Sequence, residues 1–327
     1  MRELTCREAI REALREEMRR DDRVFVMGED VAVYGGIFKV TEGLLADFGP
    51  ERVFDTPLSE SVLVGAAVGA SMMGMRPVAE VMFADFTTVA MDAVVNHAAK
   101  INYMSGGETS APVVVRMAYG AGPRWGSHHT QSVESWIANV PGLTIVMPAT
   151  PYDAKGLLKA AIRTPNPVIF LEHKLLYGKK GEVPEGEYIV PIGKADIKRP
   201  GDAVTVVASG LMVDRALGAA RTLAGEGISA EVIDLRSVQP LDEETILASV
   251  EKTGRLVIVH EAPVRGGFGG EIAAVVANKG LGFLDAPIER VGAPWTPVPF
   301  GQVLVNAYVP KEEDIIQAAR NTQGALR

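Results

Sequence analysis

Short apolar runs alternating with helix-period segments constrain the fold of this chain more than any other feature. Val24 to Met27, Val78 to Met82, Val113 to Met117, Thr144 to Met147 and Val168 to Leu171 read as strands, and helical patterns lie between them. Continuous apolar strands joined by helical crossovers belong to a parallel sheet covered on both faces. The pattern breaks from Gly178 to Gly201, where Gly, Pro, Lys and Glu dominate and only Tyr188 to Val190 reads as strand. It then resumes, with strands near Ala203 to Ala208, Ala230 to Leu235 and Leu256 to Val259, and helices near Arg215 to Ala224, Glu243 to Glu251 and Glu312 to Arg320. The expected architecture is α/β, with two three-layer α/β/α domains at residues 1–180 and 203–327 and a linker at 181–202. A chain of 327 residues with 47% hydrophobic content can bury cores of that size.

Several function classes drop out early. A formal charge of -8 argues against a phosphate-backbone binder. The single cysteine, Cys6, excludes an internal disulfide and a cysteine-based zinc cluster. No run of 18 apolar residues is present, so no membrane-spanning helix is expected. Thr5-x-x-Glu8 reads as a capping box opening an amphipathic helix through Met18, and its charges of both signs are unlike a signal or transit sequence. The expected location is the cytoplasm. Met91, Val94, Val95, Ala98 and Ile101 share one face of a helix predicted from Met91 to Met104, a stripe suited to a core or a subunit interface.

Four segments carry candidate chemistry. Glu60 closes the run Phe54-Asp-Thr-Pro-Leu-Ser-Glu60, where Pro57 disfavours helix before it and Ser59 suits an N-cap, so a carboxylate stands at a helix start. Locally, that acid need only complement the helix dipole. The glycine-rich segment Ala118 to Gln131 joins a strand to a helix and ends in Ser127-His-His-Thr-Gln131; its histidine pair suits metal binding, capping or proton transfer. Glu80 to Phe86 lies at the carboxyl end of a predicted strand, where α/β sheets bind ligands, and its phenylalanines suit either stacking or core. Gly266-Gly-Phe-Gly-Gly270 invites a dinucleotide reading but fails it, because the fingerprint begun at Gly267 needs glycine where Ile272 stands.

In combination, Val53 to Glu60, the glycines at 65, 69 and 74, Phe83-Ala-Asp-Phe86, His128-His-Thr-Gln131, Pro151-Tyr-Asp-Ala-Lys-Gly156, Val257-Ile-Val-His-Glu261 and Pro297-Val-Pro-Phe300 closely resemble one family. It is the β subunit of heterotetrameric, thiamin-diphosphate-dependent 2-oxo acid dehydrogenases, whose two domains are transketolase-like. The resemblance implies a cofactor shared between chains, with an α subunit holding the diphosphate and magnesium and this chain holding the aminopyrimidine. Consistently, the only Gly-Asp pair is Gly201-Asp202, followed by Ala203 rather than the glycine of a magnesium-diphosphate motif.

By the same resemblance, Glu60 hydrogen-bonds the ring nitrogen of the aminopyrimidine, and Met82 and Phe86 line that ring. His129, with His128 as helper, orients the 2-oxo acid or assists acyl transfer to a lipoyl group. Potassium is expected on main-chain oxygens of Val113, Ala161, Ile162, Thr164 and Asn166; a satisfied helix C-terminus is the alternative. The implied enzyme is an α2β2 assembly that decarboxylates a 2-oxo acid, acylates lipoyl groups and docks the subunit-binding domain of a lipoyl acyltransferase. Pyruvate is the first expectation. Acetoin follows, since His173-Lys-Leu-Leu-Tyr177 resembles acetoin dehydrogenases, and then branched 2-oxo acids, because Met82 replaces the Gln that branched-chain enzymes commonly carry. The rivals from other classes are a non-catalytic interaction subunit and a dinucleotide-binding oxidoreductase.

Overall fold

The structure is a computed structural model describing residues 1–122 and 124–324. The chain divides into two compact units: Met1–Tyr119 with Trp136–Ile192, and residues 120–135 with those from Gly193 onward.

In the first unit, strand β1 (Arg2–Thr5) leads into the helix Cys6–Arg20. Six parallel strands follow: β2 (Val24–Gly28), β3 (Val53–Asp55), β4 (Arg76–Val81), β5 (Val114–Tyr119), β6 (Thr144–Val146) and β7 (Val168–His173). They lie in the order β6-β7-β5-β4-β2-β3. Strand β8 (Lys180–Val183) returns antiparallel to β1. Every residue of β2, β5 and β7 is buried. Because successive strand residues face opposite sides, both faces of this sheet are covered, which is why these strands read as continuous apolar runs.

The predicted capping box forms. Glu8 N–H donates to Thr5 Oγ1 at 3.2 Å, and Thr5 N–H donates back to the Glu8 carboxylate at 2.8 Å. The helix Cys6–Arg20 buries Ile10, Leu14 and Met18 and packs on the helix Pro151–Arg163. Its acids meet the cations of that second helix. Lys155 and Lys159 are fully buried, and their ammonium groups lie 2.7 and 2.6 Å from Glu16. Arg163 reaches Glu17 at 2.5 Å. Buried ammonium groups persist only where carboxylates replace their lost hydration.

Two sequence expectations fail here. The segment Met91 to Met104 is not one α-helix: an α-helical stretch (Thr87–Asp92) passes into a π-helical one (Ala93–Ala98) before Ile101–Met104. The wider turn redirects the buried stripe to Ala93, Val94, Ala98 and Ala99, leaving Met91, Val95 and Ile101 only partly covered. Tyr188 to Val190 is not a strand. Val190 is buried instead because Gly156 leaves room for it; a Cβ at 156 would lie 2.4 Å from Val190 Cγ2.

A charged cluster crosses the middle of the first sheet. Arg116 of β5 is 1% exposed and donates Nη1 to Glu80 of β4 at 2.6 Å. Its Nε and Nη2 each reach Glu172 of β7 at 2.7 Å, a bidentate pair, and Tyr177 Oη donates to the same Glu172 at 2.7 Å. Burial alone would lower the pKa of Arg116, but the charges of Glu172 and Glu80 outweigh it and hold the pKa above its ordinary range.

The second unit contains β9 (Asp196–Arg199), β10 (Val204–Ala208), β11 (Ala230–Asp234), β12 (Ser237–Gln239), β13 (Leu256–Pro263) and β14 (Glu289–Ala293). Its five-stranded sheet has the order β14-β13-β10-β11-β9, with β9 alone antiparallel. The glycine tract after β13 has a packing role. His260 is fully buried, with Nδ1 2.9 Å from the Ala262 carbonyl, and the tract folds over its ring. A Cβ at Gly267 would lie 2.4 Å from His260 Cε1, and one at Gly269 2.7 Å from Cδ2. Burial first, and then the charge of Arg290, push this histidine down to about 4, so it packs as a neutral ring at neutral pH.

Arg116→Met is expected to cost about 3–5 kcal/mol at neutral pH, because it strands two buried carboxylates. The loss should shrink as the pH falls and those carboxyls take up protons, which urea unfolding midpoints at pH 7 and pH 5 would read.

Candidate active site

The strand order of the first sheet places a topological switch point between β2 and β4, since the chain leaves β2 for β3 on one side and returns to β4 on the other. Ligands bind outside the carboxyl ends of strands at such a point. Glu29 follows β2 there, and Met82 follows β4.

Glu60 opens the helix Glu60–Met72 and is half-buried. Ser59 occupies the N-cap with extended backbone, φ -164° and ψ 89°, and its carbonyl accepts the Leu63 N–H at 2.9 Å. Its hydroxyl, contrary to the sequence expectation, makes no capping bond. The Ser59 backbone N–H instead lies toward the carboxylate of Glu29 and pulls its pKa down. Glu29 is 5% exposed, and its Oε1 has no hydrogen-bond partner among the described residues. Burial, then the facing charge of Glu60, and then Asp30 push the Glu29 carboxyl above its usual range, against the pull of the Ser59 N–H. Thr56 Oγ1 is a second buried oxygen without a partner. Thr56 N–H donates to the Gly28 carbonyl at 2.9 Å, and Asp55 accepts Ala32 N–H at 2.7 Å, so neighbouring backbone fixes this end of the sheet.

The segment after β4 divides its aromatics. Phe83 is buried between Phe38 and Phe86, with centroid distances of 6.0 and 5.9 Å and edge-on geometry. It serves as core. Met82 and Phe86 are half-exposed. Lys174 is buried with Nζ 5.5 Å from the Phe83 centroid, and Tyr177 stacks on Phe38 at 4.8 Å, so both ends of the His173-to-Tyr177 segment support the aromatic group.

Glu60, Met82 and Phe86 belong to the first unit; His128 and His129 belong to the second. His128 is exposed and His129 half-buried. Their loop is held by polar contacts within its own unit. Thr130 Oγ1 donates to the Gly126 carbonyl at 2.5 Å, His129 N–H donates to that carbonyl at 3.4 Å, and Ser127 Oγ donates to the Val298 carbonyl at 2.8 Å. Gly126 has φ +74°, a left-handed conformation that favours glycine.

Three of the carbonyls expected to hold potassium have protein partners. Arg76 Nη1 donates to the carbonyls of Ile162 and Thr164 at 2.6 and 3.0 Å, and Val168 N–H donates to that of Val113 at 2.9 Å. Thr164 Oγ1 accepts the Asn166 N–H at 3.4 Å. Ala161 is buried in the helix Pro151–Arg163, whose C-terminal carbonyls a guanidinium thus satisfies. Among the described residues, no group of three His, Cys, Asp or Glu side chains is placed to hold a metal ion.

Glu29 was not found from sequence. Its only local signal is an acid directly after the first parallel strand, and its meaning depends on strand order.

Comparison with known proteins places these features in a family. Residues 2–180 match the transketolase pyrimidine-binding domain, and residues 193–315 match the transketolase C-terminal domain. The chain is 51% identical to the acetoin:2,6-dichlorophenolindophenol oxidoreductase subunit beta of Cupriavidus necator, over 98% of each chain. It is 50% identical to the 2-oxoisovalerate dehydrogenase subunit beta of Bacillus subtilis, over 96% of each. It is 48% identical to the pyruvate dehydrogenase E1 component subunit beta of Rickettsia felis, over 97% of this chain and 98% of that one. A solved structure described as a split-gene transketolase, an inactive beta4 tetramer, superimposes with a TM-score of 0.82 at 26% identity, over 99% of each chain. With matching domains at one end of the scale and near-full-length relatives at the other, this chain belongs to the thiamin-diphosphate-dependent family of pyruvate, acetoin and branched-chain 2-oxo acid dehydrogenase E1 β subunits.

Proposed function

We propose that this chain is the β subunit of an α2β2 enzyme that decarboxylates a 2-oxo acid and passes the acyl group to a lipoyl group, with pyruvate as substrate. The observation that carries this reading is the facing carboxylates of Glu29 and Glu60 at the switch point, where Glu29 Oε1 and Thr56 Oγ1 have no hydrogen-bond partner among the described residues. Buried polar atoms without partners mark a place where a polar ligand completes the hydrogen bonding. They fit the aminopyrimidine of thiamin diphosphate, a flat ring with donor and acceptor edges. When bound, the cofactor supplies an acidic carbon that acts as nucleophile and electron sink.

This chain's residues then have separable duties. Glu60 holds and exchanges a proton at a ring nitrogen, from a helix start that fixes its direction. Glu29, whose carboxyl sits above the usual range, keeps a second acid within reach of Glu60. Phe86 and Met82 flank the ring and exclude water. His129, half-buried, orients the 2-oxo acid or assists transfer to the dithiolane, while His128 contributes from an exposed position. The α partner holds the diphosphate and its magnesium. The subunit-binding domain of a lipoyl acyltransferase docks on the assembly, and the cytoplasm is its compartment. No step depends on potassium.

Acetoin is the second substrate reading, because the Cupriavidus necator relative carries that name and stands at 51% identity. The names of the relatives divide three ways at 51, 50 and 48% identity, so Met82 rather than overall likeness disfavours branched substrates. Turnover by the chain co-expressed with its α partner, compared across pyruvate, branched 2-oxo acids and acetoin, tests the choice; inactivity on all three overturns the reading.

Glu60→Gln in the assembled enzyme is expected to lower turnover about 10²- to 10⁴-fold with the fold intact, the usual reach of acid–base catalysis. Wild-type turnover would remove Glu60 from the chemistry. For His129→Ala, lipoyl acylation should fall more than decarboxylation followed with a dye oxidant; equal losses would assign the side chain to substrate orientation.

Glu29 also gives a pH test. A carboxyl whose folded pKa is raised stabilises the fold below its unfolded pKa and loses that contribution as pH rises through the folded value. Glu29→Gln is therefore expected to raise the melting temperature of the free chain at pH 8 relative to wild type, with the difference gone near pH 4, while activity falls.

A further inference from the structure

A glycine-rich loop that presents a reacting side chain must be held somewhere, and here both ends converge on one oxygen. Ala121 N–H donates to Glu261 Oε1 at 2.5 Å, and Ser132 Oγ donates to the same oxygen at 3.4 Å. Between those ends lie His128 and His129. The neck is closed by Gly120 N–H donating to the Gln131 carbonyl at 3.3 Å, and the segment leaving it is held by Phe268 N–H donating to Ser135 Oγ at 2.9 Å. Glu261 lies in β13 and is 5% exposed, so its carboxylate meets these donors with little competition from water.

We propose that Glu261 is the positioning residue for His129, its single carboxylate oxygen setting where the two ends of the histidine loop stand. The functional half of this assignment rests on the reading of His129 given above. A neighbouring acid supports it. Glu134 is 1% exposed, and its Oε2 has no hydrogen-bond partner among the described residues. Burial first, and then the charge of Glu261, push the Glu134 carboxyl up to about 7, against its own backbone N–H. Tyr308, pushed up to about 12 by burial and then by Glu261 and Glu134, completes the cluster as a neutral phenol. Two buried carboxyls side by side do not both ionise readily. Glu261 meets the two loop donors, while Glu134, buried beside it, is the carboxyl pushed toward its neutral form. Local sequence gave no sign of this, since Glu261 and Ala121 are 140 residues apart.

The test uses the assembled enzyme and three readouts: amide hydrogen exchange at Ala121 and across 126–132, reductive acylation of a lipoyl domain, and dye reduction. Glu261→Ala is expected to speed exchange in the loop and to lower kcat for acylation about 10²-fold, the scale of a small misplacement of a reacting group. Dye reduction should fall less. Glu261→Gln keeps an acceptor oxygen and should recover most of the acylation, and Ser132→Ala, which removes one donor, should show the same pattern more weakly if Glu261→Ala does not fold. In the His129→Ala background, Glu261→Ala should add nothing to the acylation loss. Additive losses, or unchanged exchange at Ala121, overturn the assignment. Full acylation by His129→Ala alone would overturn the reading of that histidine, and the exchange measurement would still decide whether Glu261 holds the loop.

Discussion

One guanidinium, buried between carboxylates on two neighbouring strands, fixes the part of the first sheet that everything else uses. Arg116 joins Glu80 on one side and Glu172 on the other, so the carboxyl ends of β4, β5 and β7 are tied at a defined register. A ladder slip would move each charge to the opposite face and leave it unpaired in an apolar layer. Glu80 then passes this constraint on. Its carbonyl lies where a Cβ on Gly28 would be only 2.8 Å away, so β2 can approach closely only because residue 28 is glycine. The turn that carries Glu29 begins at that glycine.

What could be read from sequence was whatever depends on neighbours along the chain. The parallel strands announced themselves because burial on both faces removes polar alternation. The capping box at Thr5 and Glu8 and the helix start at Glu60 are local devices, so their residues sufficed. The failures share a different character. Glu29 acquires meaning from the position of β2 between β3 and β4. Tyr188 to Val190 looks like a strand because it is apolar, but Ile189 is exposed and Val190 is buried in a space left by Gly156, far back along the chain. The π-helical turn at Ala93–Ala98 shifts a face that a period of 3.6 would have kept constant. The glycine tract at 266–270, whose nucleotide fingerprint the sequence itself rules out at Ile272, clears space for the ring of His260, a role no local pattern announces.

The charges of the first helix show how far a local reading can mislead about purpose. Mixed signs along residues 1–20 suggest a solvated surface helix, yet Glu16 faces two lysines with no exposed side-chain surface of their own. Each lysine sits on the helix Pro151–Arg163. The long aliphatic stems belong to the core and the ammonium groups to the acids opposite.

The second unit is assembled from pieces that are far apart in the chain, and that bears on its synthesis. Ala121 and Glu261 are separated by 140 residues, so the ribosome completes the histidine loop long before the carboxylate that binds it exists. Contacts of such long sequence separation are slow to close. A fragment beginning at Gly193 would carry the opposite defect: the Glu261 carboxylate and the Phe268 N–H would be present without Ala121, Ser132 and Ser135. The boundary suggested by the linear order of the chain is therefore not a place where it can be cut into two self-sufficient parts.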